Sequence, residues 1–430
     1  MRTWLMLIAM GCASVPALKD DGGRDSGVLA PAEESSSLDT GGSPEGTSPT
    51  DTGEIPPATD EDDAPSADTG APDSDGGRLA TGDPVPAEMA SIVDDIPGFA
   101  SGTIGGRDGT IYVVNTLDDA GPGSLRMALE SDSPLWIVFA DGLNGTILIE
   151  SRIFVRSFKT VDARGHDITL QAVRDRTVTD LSLGWDNTSL SIGWPGDRSS
   201  EVRDIVFLNL TFDGSWPHPD DDGEGADGLH LRNHAHNIWV HQCTFRDWID
   251  GAIDARKDEV SGYDTQPYNI TISSSHFYDI HQGFLLEANN VTFARNHCDN
   301  LNTRCVKSVD GTAHMINNVV RNWRRAEVVF AKGDAQILVD HNIFEYGSDS
   351  DEPGQAEDGG RLQDVHNVRY PGLDFNLRDN GSVDADFKAA AQAAYGLDRK
   401  VDCEHDPVDT GCWNALYTTI LEEAGVQLFE

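Results

Sequence analysis

The sequence is poor in positive charge. Of its 430 residues, 31 are Lys or Arg and 73 are Asp or Glu, which gives a formal net charge of −42 at pH 7. A chain this acidic repels a phosphate backbone, so we exclude nucleic acid as a partner. The same charge disfavours an acidic ligand, unless cations lie between that ligand and the protein.

Long hydrophobic runs are missing after the first twelve residues, and no later run approaches the roughly 20 residues of a membrane span. Residues 1–12 carry one positive charge, a short apolar run and a small residue before Cys12. This pattern resembles a bacterial lipoprotein signal, which ends at a Cys that is lipidated after cleavage. We therefore expect an exported protein that contacts the membrane only through a lipid on Cys12, at the cell surface or outer membrane. An ordinary secretory signal is the alternative.

Cysteine is scarce, and none of the six has the Cys-x-x-Cys spacing of a metal site. Export places the chain in an oxidising compartment, where disulfides are allowed. Cys403 and Cys412 lie in a loop-like stretch and are able to close a small ring. Cys298 and Cys305 are also near in sequence, but Cys298 occupies an apolar position, so pairing and simple burial both remain open. We expect Cys243 to be a buried free thiol.

The first hundred residues have little that can form a core. Residues 13–100 hold 20 Asp or Glu against 3 Lys or Arg and are crowded with Pro, Gly, Ser and Thr. Such a stretch cannot bury enough apolar surface to offset its ordering entropy, so residues 13–97 are predicted to be a disordered tether. The predicted catalytic domain spans residues 98–346, and residues 347–430 form a flanking segment of the same domain.

An eight-residue pattern returns six times between Ile205 and Phe344. The copies start 33, 32, 21, 22 and 24 residues apart, and each opens and closes on an apolar or small residue. They start at Ile205, Ile238, Ile270, Val291, Ala313 and Ile337 and close at Phe212, Phe245, Phe277, Cys298, Val320 and Phe344. One short strand in a unit of about 22 residues cannot bury its own face, so the copies must stack as a solenoid.

Short parallel strands linked by turns predict an all-β fold, a parallel β-helix with a filled interior. Asn296, Asn318 and Asn342 each lie five residues after the start of their copy, which predicts a ladder of stacked amides. An antiparallel β-sandwich is the alternative, but it leaves the shared phase unexplained. Two helix-like stretches, residues 385–395 and 414–424, are expected to cover a flank or an end of the solenoid.

Charged side chains fall at one phase of successive copies, 11 to 13 residues after the start, once the excess of the acidic insertion at residues 213–226 is removed. This column consists of the charged residues Asp227, Asp250, Arg304 and Arg325 and the neutral Gln282. Asp254 lies four residues after Asp250. Three neighbouring Asp side chains repel one another unless a cation joins them, and oxygen ligands of this type suit Ca²⁺. The column therefore predicts a groove that binds Ca²⁺ and, through it, a polyanion. Solvated charges on turns, aligned by accident, are the alternative.

Several motifs resemble the pectate lyase family and occur in the family's order over residues 98–346. They are Gly-Phe-Ala-Ser-Gly-Thr-Ile-Gly-Gly-Arg at 98–107, Gly-Pro-Gly-Ser-Leu-Arg at 121–126, Thr-Val-Asp-Ala-Arg-Gly at 160–165, Asn-Ile-Trp-Val-His at 237–241 and Asp-Gly-Ala-Ile-Asp at 250–254. The resemblance implies a right-handed parallel β-helix that cleaves polygalacturonate by β-elimination, with Ca²⁺ as cofactor. The implied partner is an acidic polysaccharide, bound by a monomer.

The resemblance also implies roles for four of the charged residues. Asp250 and Asp254 match the family's Asp-Gly-x-x-Asp calcium ligands, and Asp227 matches the ligand one coil earlier. Arg304 matches the first Arg of the family's Arg-x-Pro-x-x-Arg motif, to which the role of base is assigned. These four residues are the predicted metal site and catalytic group.

The sequence departs from the family where the groove should carry further positive charge. The family's substrate-binding Lys is Gln282 here, and in the Arg motif Val306 replaces Pro and Val309 replaces the second Arg. We therefore take Gln282 as a substrate-binding position together with three nearby cations, Lys307, Arg324 and Arg325. The main hypothesis is a lyase acting on a uronate polymer, and the alternative is a β-helix that binds polysaccharide without cleaving it.

Overall fold

The described structure begins at residue 79. A computed structural model describes residues 79–173, 189–193, 201–215, 227–257, 265–325, 327–345, 353–370, 377, 380–396, 399, 401, 403 and 410–427. Cys12, most of the predicted tether and residues 216–226 of the acidic insertion lie outside these ranges.

Short strands make up most of the described chain, and every pair of neighbouring strands is parallel. In chain order they are β1 (Thr110–Val114), β2 (Leu135–Phe139), β3 (Gly145–Ile149), β4 (Ile153–Val155), β5 (Lys159–Asp162), β6 (Ile168–Ala172), β7 (Leu190–Ile192), β8 (Arg203–Leu208), β9 (Thr211–Asp213), β10 (Leu229–Leu231), β11 (His236–His241), β12 (Thr244–Arg246), β13 (Gly251–Ala255), β14 (Tyr268–Ser273), β15 (His276–Leu286), β16 (Asn289–Ala294), β17 (His297–Thr303), β18 (Val306–Val309), β19 (Thr312–Ile316), β20 (Val319–Arg321), β21 (Val329–Lys332), β22 (Gln336–Asp340), β23 (Ile343–Phe344), β24 (Gly354–Glu357), β25 (Arg361–Val365) and β26 (Val368–Arg369). This arrangement is a parallel β-helix, as the repeat predicts.

Each coil of the β-helix contributes strands to three sheets. Sheet 1 contains β1, β2, β5, β8, β11, β14, β16, β19, β22 and β25. Sheet 2 runs from β3 through β6, β9, β12, β15, β17, β20 and β23 to β26, and sheet 3 contains β4, β7, β10, β13, β15, β18, β21 and β24. The long strand β15 passes through the bend between sheets 2 and 3, so it belongs to both.

The sheet register confirms the phase of the repeat. Ile205 pairs with Ile238, which pairs with Ile270, and the same column continues through Val291, Ala313 and Ile337. The closing residues form a second column in sheet 2. Within it the rings of Phe212, Phe245 and Phe277 stack with centroids 4.4 and 5.1 Å apart. Fully buried apolar columns of this kind form the interior of the solenoid.

A ladder of buried amides also confirms the prediction from phase. The backbone N–H of Asn296 donates to Oδ1 of Asn318 at 2.8 Å, and that of Asn318 donates to Oδ1 of Asn342 at 2.9 Å. The structure adds one more step, because Asn342 donates in the same way to Asn367. Each amide thus satisfies a backbone group that burial would otherwise leave unpaired.

Within the described ranges, four α-helices flank the strands: α1 (Ala87–Ala90), α2 (Leu125–Leu129), α3 (Ala385–Tyr395) and α4 (Thr410–Glu423). Ser124 caps α2, since its Oγ accepts from the N–H of Met127. α4 covers sheet 2, where Trp413, Leu416 and Ile420 pack in a buried cluster with residues of β20 and β23. Within the described residues, no helix combines the length and the apolar character that a membrane crossing requires.

The ordered part extends beyond the boundaries expected from the sequence. Residues 79–97, assigned above to the tether, contain α1 and a 3-10 turn, and Val93 and Ile96 pack against Trp136 and Trp239 on sheet 1. At the other end, β24, β25 and β26 continue the solenoid past residue 346. Few apolar residues are enough to order these segments because the solenoid supplies the surface that they cover.

Two disulfides are present among the described residues. Cys403 pairs with Cys412, as the spacing allowed. Cys298 also pairs with Cys305, which decides between the two readings left open by the sequence. Cys243 is the predicted buried free thiol, and burial raises its pKa to about 12.

Candidate active site

Two neighbouring strands of sheet 3 bring the predicted acidic residues together. Asp227 lies just before β10, and Asp254 lies within β13, the strand that pairs with β10. The N–H of Gly251, the first residue of β13, donates to Oδ1 of Asp227 at 2.6 Å. Parallel pairing across one coil therefore converts a distance of more than twenty residues in sequence into direct contact.

A histidine that sequence reasoning missed completes this cluster. His230 pairs with Asp254 across the two strands, and its Nε2 lies 2.6 Å from Oδ2 of Asp227. Side-chain donor atoms of Asp227, His230 and Asp254 all lie within 4.8 Å of one another. We call these three residues the acidic cluster. The signal for His230 was its position three residues after Asp227, at an outward-facing phase of the strand.

Burial makes the negative charge of the cluster costly. Asp227 is 2% exposed, and burial together with the charge of Asp250 raises its pKa to about 8. Burial and the charge of Asp227 raise the pKa of Asp254 to about 8 as well. Burial and the positive charge of Arg232 lower the pKa of His230 to about 3, so its imidazole is neutral at physiological pH. Carboxylates held this close stay ionised only when a cation compensates them.

The cluster has the space and the donors for such a cation. Gly251 has no side chain, and a Cβ at this position would lie 2.5 Å from Oδ1 of Asp227 and 3.2 Å from Oδ1 of Asp254. Asp250 is half-buried at the same edge, and its charge acts on Asp227. Asp227 and Asp254 therefore fit a divalent cation together with His230, and Asp250 lies near them. The roles of Asp227, Asp250 and Asp254 as ligands stay predictions.

Gln282 and Arg304 follow on the next two coils. Gln282 pairs with Gly251 on one side and with Thr303 on the other, and Arg304 is the residue after Thr303. With strands about 4.8 Å apart, Arg304 lies two coils, or about 10 Å, from the strand of Asp254. Counting residues from the start of each copy places Gln282 beside Asp250. The strand pairing places it beside Gly251, one residue further along the chain.

Arg304 lies at the bend between β17 and β18. Its φ is +60°, a left-handed conformation that it shares with residues at other bends of the solenoid. Among the described residues its buried Nε has no hydrogen-bond partner. The disulfide between Cys298 and Cys305 closes a short loop that ends next to Arg304. Arg304 thus sits at a bend that a disulfide adjoins, with one buried guanidinium N–H that lacks a described acceptor.

The three other predicted cations differ in their surroundings. Lys307 follows Arg304 on the same outer surface, and its Nζ lies 4.8 Å from the ring centroid of Phe330. Burial and the charge of Arg304 lower the pKa of Lys307. Arg324 donates from Nε to Oδ1 of Asn300 at 3.1 Å, whereas Arg325 is exposed. The structure therefore brings Lys307 into the electrostatic field of Arg304 and leaves Arg325 in solvent.

The fold and the cluster define a class of protein: a parallel β-helix with an acidic, cation-type site on one outer sheet and an Arg two coils away. The chain belongs to the pectate lyase family, because the family model described as pectate lyase matches residues 91–405. This confirms the family that the motifs indicated.

Known proteins support the same assignment. The chain is 31% identical over 271 residues to a pectate lyase of Nicotiana tabacum, covering 59% of this chain and 62% of that protein. It is 28% identical over 279 residues to pectate lyase 1 of Cryptomeria japonica, covering 59% and 66%. The chain therefore spans a little under two thirds of the length of these relatives.

A solved structure confirms the fold class. The crystal structure of jun a 1, the major allergen from cedar pollen, superposes with a TM-score of 0.57 at 20% identity, covering 79% of this chain and 94% of that one. The solenoid is thus a right-handed parallel β-helix, as the resemblance implied.

Proposed function

We propose that the protein is a polysaccharide lyase that cleaves a uronic-acid polymer, first of all pectate, by Ca²⁺-dependent β-elimination. The observation that carries the proposal is the position of Arg304 two coils from the acidic cluster, in a chain of the pectate lyase family. Between the acidic cluster and Arg304 lie residues of sheet 3 and the bend that precedes β18. An extended polymer bound across these coils would contact both groups.

β-Elimination removes the proton on C5 of a uronate and expels the glycosidic oxygen from C4, which leaves a double bond between C4 and C5. Bound Ca²⁺ would neutralise the uronate carboxylate and make the C5 proton more acidic. Asp227, Asp250 and Asp254 would hold that cation. Their raised pKa values support this role, because a cation relieves the repulsion that otherwise favours protonation.

Arg304 is the proposed base. A free guanidinium keeps its proton up to a pH of about 12, so proton removal by Arg304 requires neighbouring positive charge. Lys307 brings positive charge near Arg304, and burial together with the charge of Arg304 lowers the pKa of Lys307. Among the described residues no hydrogen bond holds the buried Nε of Arg304.

Substrate binding is the weaker part of the groove. Gln282 brings a neutral amide to the position of the family's Lys, and Val309 pairs with Lys332 where the family has its second Arg. Lys307 is the best placed of the replacement cations, and Arg324 and Arg325 lie one coil further on. We expect slower cleavage of plain polygalacturonate than a site with both family cations would achieve.

A second candidate function follows from the same departures. Loss of two cations from a groove that keeps its acidic cluster is what a non-catalytic polysaccharide-binding β-helix would show. The retained Arg304 favours the lyase.

The deciding experiment measures the ultraviolet absorbance of unsaturated uronate ends released from pectate, methylated pectin and alginate, with Ca²⁺ and with EDTA. We expect release that EDTA abolishes. Arg304→Lys should abolish it while circular dichroism stays unchanged, and Arg203→Lys on sheet 1 is the matched control. No release from any polymer, with Ca²⁺ still bound, would establish the binder instead.

We also propose that the protein is exported and lipid-anchored through Cys12. The signal-like residues 1–12 and the acidic sequence that follows them support this proposal. Two disulfides among the described residues are of the kind that oxidising compartments allow. Labelling with radioactive palmitate, lost in Cys12→Ala, tests it.

A further inference from the structure

His230 stands within the acidic cluster, not beside it. It is the central residue of β10, with Ser191 on one neighbouring strand and Asp254 on the other. Its side chain is 1% exposed, and Nε2 approaches Oδ2 of Asp227 to 2.6 Å. The donor atoms of all three side chains fall within 4.8 Å, so one ion can reach a ring nitrogen and two carboxylates.

A nitrogen donor changes which ion such a site prefers. Ca²⁺ takes six to eight oxygen ligands at distances of about 2.3–2.6 Å, and imidazole is a poor substitute for any of them. Imidazole suits Zn²⁺ and its neighbours in the first transition row, which also accept carboxylates. Three protein ligands with an open position are typical of catalytic Zn²⁺ sites.

We propose that His230 is a metal ligand, and that the cluster of Asp227, His230 and Asp254 binds a first-row transition dication such as Zn²⁺ more tightly than Ca²⁺. This inference rests on the proposed function, because it concerns the cation site of the proposed lyase and the ion that this site prefers. The geometry supports it beyond ligand type. Gly251 leaves the volume between the two carboxylates clear, and any side chain there would close it.

A second group of possible ligands provides the control. His276, His297 and Asp299 also lie within 4.8 Å, but the two rings stack in parallel with centroids 4.4 Å apart, so their lone pairs do not converge. Oδ2 of Asp299 already accepts from Arg321 at 2.6 Å, and that guanidinium repels a cation. This group should contribute little to metal binding.

The test is calorimetric titration of the metal-free full chain with Zn²⁺, Mn²⁺ and Ca²⁺ separately. We expect one tight Zn²⁺ site. His230→Ser should lower its affinity at least about tenfold while changing Ca²⁺ affinity less than about threefold. His230→Gln keeps a polar side chain that can donate to Asp227, and it should lose Zn²⁺ affinity in the same way if His230→Ser folds poorly. His276→Gln should bind Zn²⁺ like the wild type.

The outcomes separate this inference from the proposed function. Equal loss of Zn²⁺ and Ca²⁺ affinity in both His230 variants, or loss of Zn²⁺ only in His276→Gln, would overturn the ligand assignment. Binding of Ca²⁺ alone, with EDTA-sensitive polymer cleavage intact, would overturn this inference and leave the lyase standing. Absence of polymer cleavage with normal Zn²⁺ binding would overturn the lyase proposal and leave this inference standing.

Discussion

At the level of single residues, burial and mutual repulsion of the carboxylates in the acidic cluster make the stability of the protein depend on pH. The pKa of both Asp227 and Asp254 rises to about 8 in the folded protein, against about 4 for an unfolded Asp. Between these two values the folded state binds more protons than the unfolded state. Stability therefore falls as the pH rises from about 4 to about 8.

We predict that the melting temperature of the EDTA-treated protein decreases across this window, and that a saturating divalent cation removes the decrease. Asp254→Asn should flatten the curve, because one of the two repelling carboxylates is gone. Asp132→Asn, at an exposed surface position, is the control and should leave the curve unchanged. A melting temperature that rises between pH 5 and pH 8 without metal would contradict the assignment of these pKa values. Scanning calorimetry at several pH values measures it.

Gln282 is the residue at which added charge should restore activity. It lies between Gly251 and Thr303, so a Lys there would reach the groove between the acidic cluster and Arg304. A charged hydrogen bond to a substrate carboxylate contributes about 1.5 kcal/mol or more, so Gln282→Lys should raise kcat/KM on pectate about tenfold. Gln171→Lys on sheet 2 adds the same charge away from the groove and should have no effect. The measurement is the initial rate at which unsaturated product forms from pectate. If kcat/KM of Gln282→Lys equals that of the wild type, position 282 has no role in substrate binding.

At the level of elements, the bends between sheets have their own columns of left-handed residues. Asn209, Gln242, Ser274, Arg295, Asn317, His341 and His366 all have φ between 46° and 60° at the bend between sheets 1 and 2. Asn, Asp and His tolerate this conformation best, yet the column also contains Gln242, Ser274 and Arg295. At these three positions the neighbouring coils, not local propensity, therefore fix the bend.

The amide ladder next to this bend should be worth several hydrogen bonds. Asn318 accepts from Asn296 and donates from Nδ2 to the carbonyl of Phe293 and to Oδ1 of Asn342. Asn318→Ala leaves buried donors and acceptors unpaired, so we predict a loss of about 3 kcal/mol in the free energy of unfolding. Asn289→Ala, which removes a half-buried amide bonded to Gln266, should cost less than about 1 kcal/mol. Similar denaturant midpoints for the two variants would show that the amide ladder contributes no more to the free energy of unfolding than an ordinary half-buried amide.

At the level of the whole molecule, the segment from residue 79 to residue 100 closes one outer face of the solenoid. Val93, Ile96 and Ala100 cover sheet 1, and the N–H of Ala100 donates to Oγ1 of Thr271 at 3.1 Å. Burying Val93 and Ile96 contributes about 3 kcal/mol or more.

We therefore predict that removing residues 1–100 lowers the midpoint of chemical denaturation and exposes Trp136 and Trp239, which red-shifts tryptophan fluorescence. Removing residues 1–78 alone leaves this contact in place and is the control. If both shortened chains unfold at the same denaturant concentration, the segment makes no contribution to stability. The comparison also tests whether the folded unit begins before residue 98, the boundary expected from the sequence.

Much of the architecture could be predicted because a β-helix repeats its own environment. Each coil must present the same phase to its neighbours, so apolar positions of the sequence identified the columns of sheets 1 and 2 and the Asn ladder without any structure. The helix at 385–395 was equally visible, since Ala385–Tyr395 consists almost entirely of strong helix formers.

What the sequence by itself determined is therefore the stacking direction, the columns and the family. Only the tertiary structure decided which side chains and segments meet: His230 beside Asp254, Gln282 beside Gly251, Cys298 with Cys305, and residues 79–97 on sheet 1. The first two contacts depend on the register between coils that carry insertions. Register across an insertion of unequal length is set by packing of the whole solenoid, which no local pattern encodes.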